Sequence, residues 1–233
     1  VQRFRQALGR GLGACWRYVR RAPGTFCWLI LLLPTTIIMS RLEPSELHHV
    51  LIERSTNLHH LAEDPLHVLV ASAFWPDGGS WLTYLVLFNL FHVPAERWLG
   101  TLRWLGLVVL AHIGATYASE GAVYLAIHHG STPASAADAL DVGVSYALAG
   151  VAGVLTYRLG GPVRYVYLAA LVTAVALPFA IDGVDFTEIG HGTAVLIGLA
   201  YYPLTRSRGG PWDPIVALRT RRARRRVRIG TSE

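Results

Sequence analysis

The sequence predicts an all-α membrane protein with six spanning helices and both termini on the cytoplasmic side. Three observations predict it. The 233-residue chain is 52% hydrophobic and only 15% charged, with mean hydropathy +0.38, whereas soluble domains carry roughly 25% charged residues. Six apolar stretches can each cover a bilayer core, which takes about 20 helical residues. Arginines, the only basic residues among 21 cationic side chains, fall at alternate connections, as the positive-inside rule demands of cytoplasmic turns.

Residues 1–22 are basic and amphipathic. Phe4, Leu8, Leu12, Cys15, Trp16 and Val19 recur at helical spacing with six arginines between them. That pattern suits a helix lying on an anionic membrane face, or a frayed arginine-rich tail. The membrane domain is expected over 23–205. Its first span covers 23–41, where Pro34 should kink the helix. A basic start, an apolar run and no A-x-A pattern read as an anchor helix, not a signal peptide. Cys15 and Cys27 both lie near the start of this region, on the cytoplasmic side, so no disulfide is expected.

Residues 42–80 are too polar to cross and hold two amphipathic pieces, Ser45–Arg54 and Pro65–Trp75, closed by the turn Pro76-Asp77-Gly78-Gly79. A connection this long carries its own structure or function, and these pieces are expected in the outer interface. Further spans follow at 80–98, 102–127, 141–158, 163–181 and 187–204. Arg97 and Arg103, then Arg158 and Arg164, mark inner turns, whereas Asp138, Asp141, Asp182, Asp185 and Glu188 mark outer ones. The tail, 206–233, ends in seven arginines; anionic lipid is its expected contact. Nucleic acid is not expected, because nothing folded accompanies the tail. The chain reads as a multi-pass protein of a bacterial plasma membrane.

The chemistry concentrates in two stretches. Ser145, in Gly143-Val144-Ser145-Tyr146-Ala147-Leu148-Ala149-Gly150, sits about four residues into the fourth span, and His191 a similar distance into the sixth. Both spans run inward, so both side chains are expected roughly 6 Å below the outer edge. Gly143, Ala147, Gly150 and Gly153 face Gly190, Ala194 and Gly198 as small-xxx-small surfaces that allow close approach. A serine alone in a membrane helix commonly bonds its own backbone, whereas a membrane histidine is a functional candidate by default. Their conjunction points to nucleophilic hydrolysis. His48, His49, His59, His60 and His67 cluster without H-E-x-x-H or paired Cys/His spacing, so no metal and no other cofactor is expected. His128 and His129 are expected at the outer interface. His112 and Glu120 are expected to face the bundle interior, as a carrier would need, but no internal repeat of the transporter kind is present.

These motifs resemble the rhomboid intramembrane serine proteases over residues 24–204. Gly143-Val144-Ser145 with Ala147 and Gly150 resembles the family's G-x-S motif. His191 with Ala194 and Gly198 resembles A-H-x-x-G-x-x-x-G, and Glu96–Gly100 resembles the E-x-x-x-G that closes the second span. The resemblance implies a six-helix bundle, a Ser145–His191 dyad without a third member, and cleavage of transmembrane proteins near the outer face. It also implies a substrate slot beside Gly143 and Tyr146. Two departures stand against activity. Tyr146 replaces a glycine, and the H-x-x-x-N of the oxyanion site is missing. Ser80, Tyr84 and Asn89 are the available substitutes; one lost donor costs about 2.7–4 kcal/mol. The alternative is an inactive relative that binds or scaffolds membrane proteins.

Overall fold

The computed structural model describes residues 2–76, 78, 80–181, 185–214, 216, 217 and 220. The arginine run of the tail, Asp77, Gly79 and Asp182 lie outside the described residues. Helices α1 (Gln2–Val19) and α2 (Pro23–Met39) are followed by three short ones, α3 (Pro44–Glu53), α4 (Leu58–Glu63) and α5 (Pro65–Ser72). Then come α6 (Trp81–Leu90), α7 (His92–Leu99) and the long α8 (Thr101–His128). A 3-10 turn at Ala134–Asp138 leads to α9 (Val144–Leu155), α10 (Gly161–Ile181), α11 (Phe186–Ala200) and α12 (Tyr202–Thr205). The described residues contain no strand, only an isolated bridge between Leu159 and Trp212.

Helices α8, α9 and α11 pack together as the centre, with α2, α6 and α7 beside them. Trp28, Leu32, Phe88, Leu99, Leu107 and Val151 form the shared core. Helix α10 packs on α11 yet buries none of its 21 residues. Its length and mean hydropathy of 1.7 suffice to cross a membrane. Large apolar side chains are exposed on α2 (Ile30), α6 (Leu82), α8 (Leu110) and α10 (Val166) as well. Helices α1 and α2 meet at 98°.

Prolines and side-chain caps explain where the helices differ from expectation. The second span is two helices, broken at Phe91, because Pro94 cannot donate to the Leu90 carbonyl and its ring crowds that oxygen. Pro203 ends α11 at Ala200 in the same way. The Leu199 carbonyl it releases accepts the Tyr157 hydroxyl at 2.9 Å. Pro34 by contrast lies inside a continuous α2. The long connection holds a third helix, α4, capped by Asn57 on the His60 N–H at 3.0 Å.

The start of α2 has no cap of its own: Ala22 supplies no side-chain acceptor. The acceptor arrives from α7. The buried Glu96 carboxylate takes the Gly24 N–H at 2.9 Å, the Thr25 N–H at 2.7 Å and the Thr25 hydroxyl at 2.6 Å, and then the Thr101 hydroxyl at 2.8 Å. A carboxylate at a helix N-terminus meets both unpaired donors and the positive end of the dipole. Glu96 thereby joins α2, α7 and α8. Glu96→Ala is expected to lower stability by on the order of 3 kcal/mol, since several buried donors lose their acceptor at about 1–3 kcal/mol each. Glu96→Gln, which keeps an acceptor oxygen, should lose less. Unfolding in mixed micelles measures both.

Candidate functional site

The site begins with the seam between α9 and α11. Gly150 and Gly153 face Ala194, Val195 and Gly198 so closely that backbone meets backbone. A Cβ on Gly153 would lie 2.6 Å from the Val195 carbonyl oxygen, and one on Gly198 would overlap the Gly150 carbonyl. The expected small-residue faces are therefore in contact. One turn toward the start of α9, the same stripe carries Tyr146, at the i−4 position from Gly150. Its ring is fully buried and lies over Gly190, where a Cβ would sit 2.5 Å from the phenol oxygen.

His191 is therefore beside Tyr146. The two rings stand edge to face, 5.2 Å between centroids at 72°. On its other side the imidazole Nδ1 lies 3.6 Å from a Glu188 carboxylate oxygen, one turn back on α11. Ser145 is exposed. One residue is 100° of helix rotation, which turns Ser145 off the seam when Tyr146 is on it. No hydrogen bond joins Ser145 to His191. The structure brings the two helices together as expected but not the two side chains, because Tyr146 takes the facing position. Along the seam the α9 positions are Tyr146, Gly150 and Gly153. None offers a nucleophile with access to the imidazole.

Around the Tyr146 hydroxyl lies a buried polar cluster. Asp141, Ser119 and Glu120 face it, and Glu120 Oε2 and the Thr116 hydroxyl have no hydrogen-bond partner among the described residues. Asp141 is fixed by the segment before α4. Its N–H donates to the Ser55 hydroxyl at 2.7 Å, and its carbonyl accepts the Thr56 N–H at 2.9 Å. Ser119 donates to the Phe186 carbonyl at 2.8 Å and ties α8 to the start of α11. His112 and Glu120 are both buried, as expected for interior groups.

The other expected site residues are committed elsewhere. Ser80 caps α6, accepting the Thr83 N–H at 3.3 Å. Tyr84 donates to the Gly78 carbonyl at 2.8 Å. Asn89 accepts the Tyr18 hydroxyl at 2.9 Å and donates to the Leu85 carbonyl at 2.7 Å, toward the end of α1. None of these four interactions is with α9 or α11, so they do not gather the expected oxyanion donors at Ser145. Gly143 opens no slot, because the His112 ring occupies the place where its Cβ would be. That imidazole bonds the Leu69 carbonyl at 2.8 Å and the Ser72 hydroxyl at 3.3 Å through Nε2, fastening α5 to α8. The histidines of the long connection are dispersed: His49 lies 3.7 Å from Glu53, His59 lies 3.7 Å from Asp138, and His60 bonds the Ser55 carbonyl.

Tyr146, not Ser145, is the residue of this stretch that meets α11. The spacing Tyr146–Gly150–Gly153, i, i+4, i+7, already marks Tyr146 as the seam residue. Gly198→Ala is expected to destabilise by about 1–3 kcal/mol, the usual cost of overpacking. Gly121→Ala, with no atom near its Cβ position, should be neutral or slightly stabilising. Paired unfolding curves test the contrast.

The family model described as rhomboid-like protein matches residues 17–211. No curated protein and no solved structure matches the chain.

Proposed function

Given that the chain belongs to the rhomboid-like protein family, we propose that it is a catalytically inactive rhomboid-like membrane protein. In this reading it crosses the bilayer six times, with both termini cytoplasmic, and binds other transmembrane proteins. The observation that carries inactivity is the fully buried Tyr146 ring against His191 and Gly190, with Ser145 exposed beside it. Acyl transfer needs nucleophile and base within hydrogen-bond reach, about 2.6–3.2 Å, with some looseness before substrate binds. A serine about 100° around the helix needs α9 to rotate, and the α9–α11 backbone contact resists rotation. The dispersed oxyanion candidates support the same reading.

The apolar outer surface of α2, α6, α8 and α10 supports the multi-pass arrangement. Support for a helical partner comes from an apolar crevice of about 470 Å³ between α2, α5 and α8, lined by residues such as Leu31, Leu66, Val70, Leu105 and Val109. In proteoliposomes, a model single-span substrate should remain uncut by the parent chain. A bound partner helix should copurify equally with the parent, Ser145→Ala and His191→Ala. Cleavage by the parent that disappears in Ser145→Ala would restore the hydrolytic reading and remove this one.

A further inference from the structure

A second cavity, about 370 Å³, lies where α1 ends against the broken second span. Tyr18, Asn89, Pro94, Arg97, Trp98 and Arg158 line it, and no acidic residue does. Arg97 stacks 5.6 Å from the centre of the Tyr18 ring, and Arg158 stacks 6.0 Å from that of Trp98. Stacking holds a guanidinium plane while leaving its N–H edge free to donate. Arg158 uses one donor on the Gly210 carbonyl at 2.9 Å. Neither arginine pairs with a carboxylate among the described residues. The adjacent Glu96 is turned away, its oxygens taken by Gly24, Thr25 and Thr101. Two cations therefore share one cavity with no anion among the described residues to answer them.

The surroundings identify the class of anion. Under the arginine rule this is the cytoplasmic edge of the bundle. Tyr and Trp concentrate at that level of a bilayer. Val86 and Leu90, exposed on α6, lead away from the cavity along the helix that carries Asn89. We infer that this cavity binds the phosphate of an anionic phospholipid, gripped by Arg97 and Arg158, with its acyl chains along α6. The inference rests on the membrane placement proposed above and not on the inactivity of the chain. Guanidinium forks match phosphate oxygens in pairs.

Native mass spectrometry of the full chain tests it, because lipids are counted on the folded species alone. Phosphatidylglycerol, phosphatidylcholine and inorganic phosphate are supplied separately at about 0.5 M salt, where screening removes loose contacts with the tail. The parent should retain one phosphatidylglycerol and should hold phosphatidylcholine more weakly. Inorganic phosphate should not displace the retained lipid. Arg97→Gln with Arg158→Gln should lose affinity about tenfold or more, as expected for two charge-assisted contacts. Arg97→Gln alone breaks no protein hydrogen bond among the described residues and should show part of that loss with unchanged thermal stability. Equal retention by parent and both variants would overturn the site. Equal retention of the two lipids would overturn its preference for an anionic headgroup. Competition by inorganic phosphate would make the ligand a soluble phosphate and overturn the lipid assignment.

Discussion

Backbone contact between α9 and α11 is the constraint on which the rest of the site depends. Glycines at 150, 153 and 198 let two helices meet without side chains between them. Contact that close fixes rotation as well as distance, since any turn of α9 drives a Cβ into a carbonyl. Once rotation is fixed, the residue four before Gly150 must face α11. That residue is Tyr146, and its ring fills the space above Gly190 and abuts His191. The fate of Ser145 is thus decided by glycines one and two turns away. Small residues at membrane helix interfaces act in this way generally, since lipid offers no hydrophobic drive to hold helices together.

Packing around the seam shows how polar groups are managed in a largely apolar chain. Glu96 serves the N-terminus of α2, Asp141 organises the approach to α9, and Arg164 covers the exposed end of α9 by donating to the Thr156 and Leu159 carbonyls. Arg103 reaches the Leu204 carbonyl and the Ser207 hydroxyl near α12. Glu96, Arg103 and Arg164 sit at helix ends with unpaired backbone groups, where the dipole favours their sign. Arg103 and Arg164, two of the arginines that indicate orientation in the sequence, are also structural caps. Arg97 and Arg158 differ from them in sharing a cavity, which is why they suggest a ligand. Thr116, Ser119, Glu120 and Asp141 form a second polar focus around the Tyr146 hydroxyl, and the Tyr146 ring lies beside His191.

Much of the helix plan is legible in the sequence because apolar length and turn residues act locally. Asp64 followed by Pro65 announces the start of α5, and Gly160-Gly161-Pro162 announces α10. The break at Phe91 is also local, and Pro94 signals it. The carbonyl capture of Leu199 by Tyr157 joins residues 42 apart and leaves no local trace. Glu96 was readable as part of a motif, but its role as a remote cap for Gly24 and Thr25 needs the fold. At the site, the meeting of α9 and α11 follows from their small residues. Which side chain occupies the meeting point follows from helical phase, and the serine drew attention one residue away from it. Nothing local indicates that the His112 ring fills the space beside Gly143.

The central claim is that His191 has a buried phenol for a neighbour and no reachable nucleophile. Reaction of the purified full chain with a fluorophosphonate, mapped by peptide mass spectrometry, addresses this most directly. The account predicts no adduct at Ser145 in the parent, and none in Tyr146→Gly, because removing the ring does not turn the serine onto the seam. An adduct at Ser145 that vanishes in His191→Ala would contradict it.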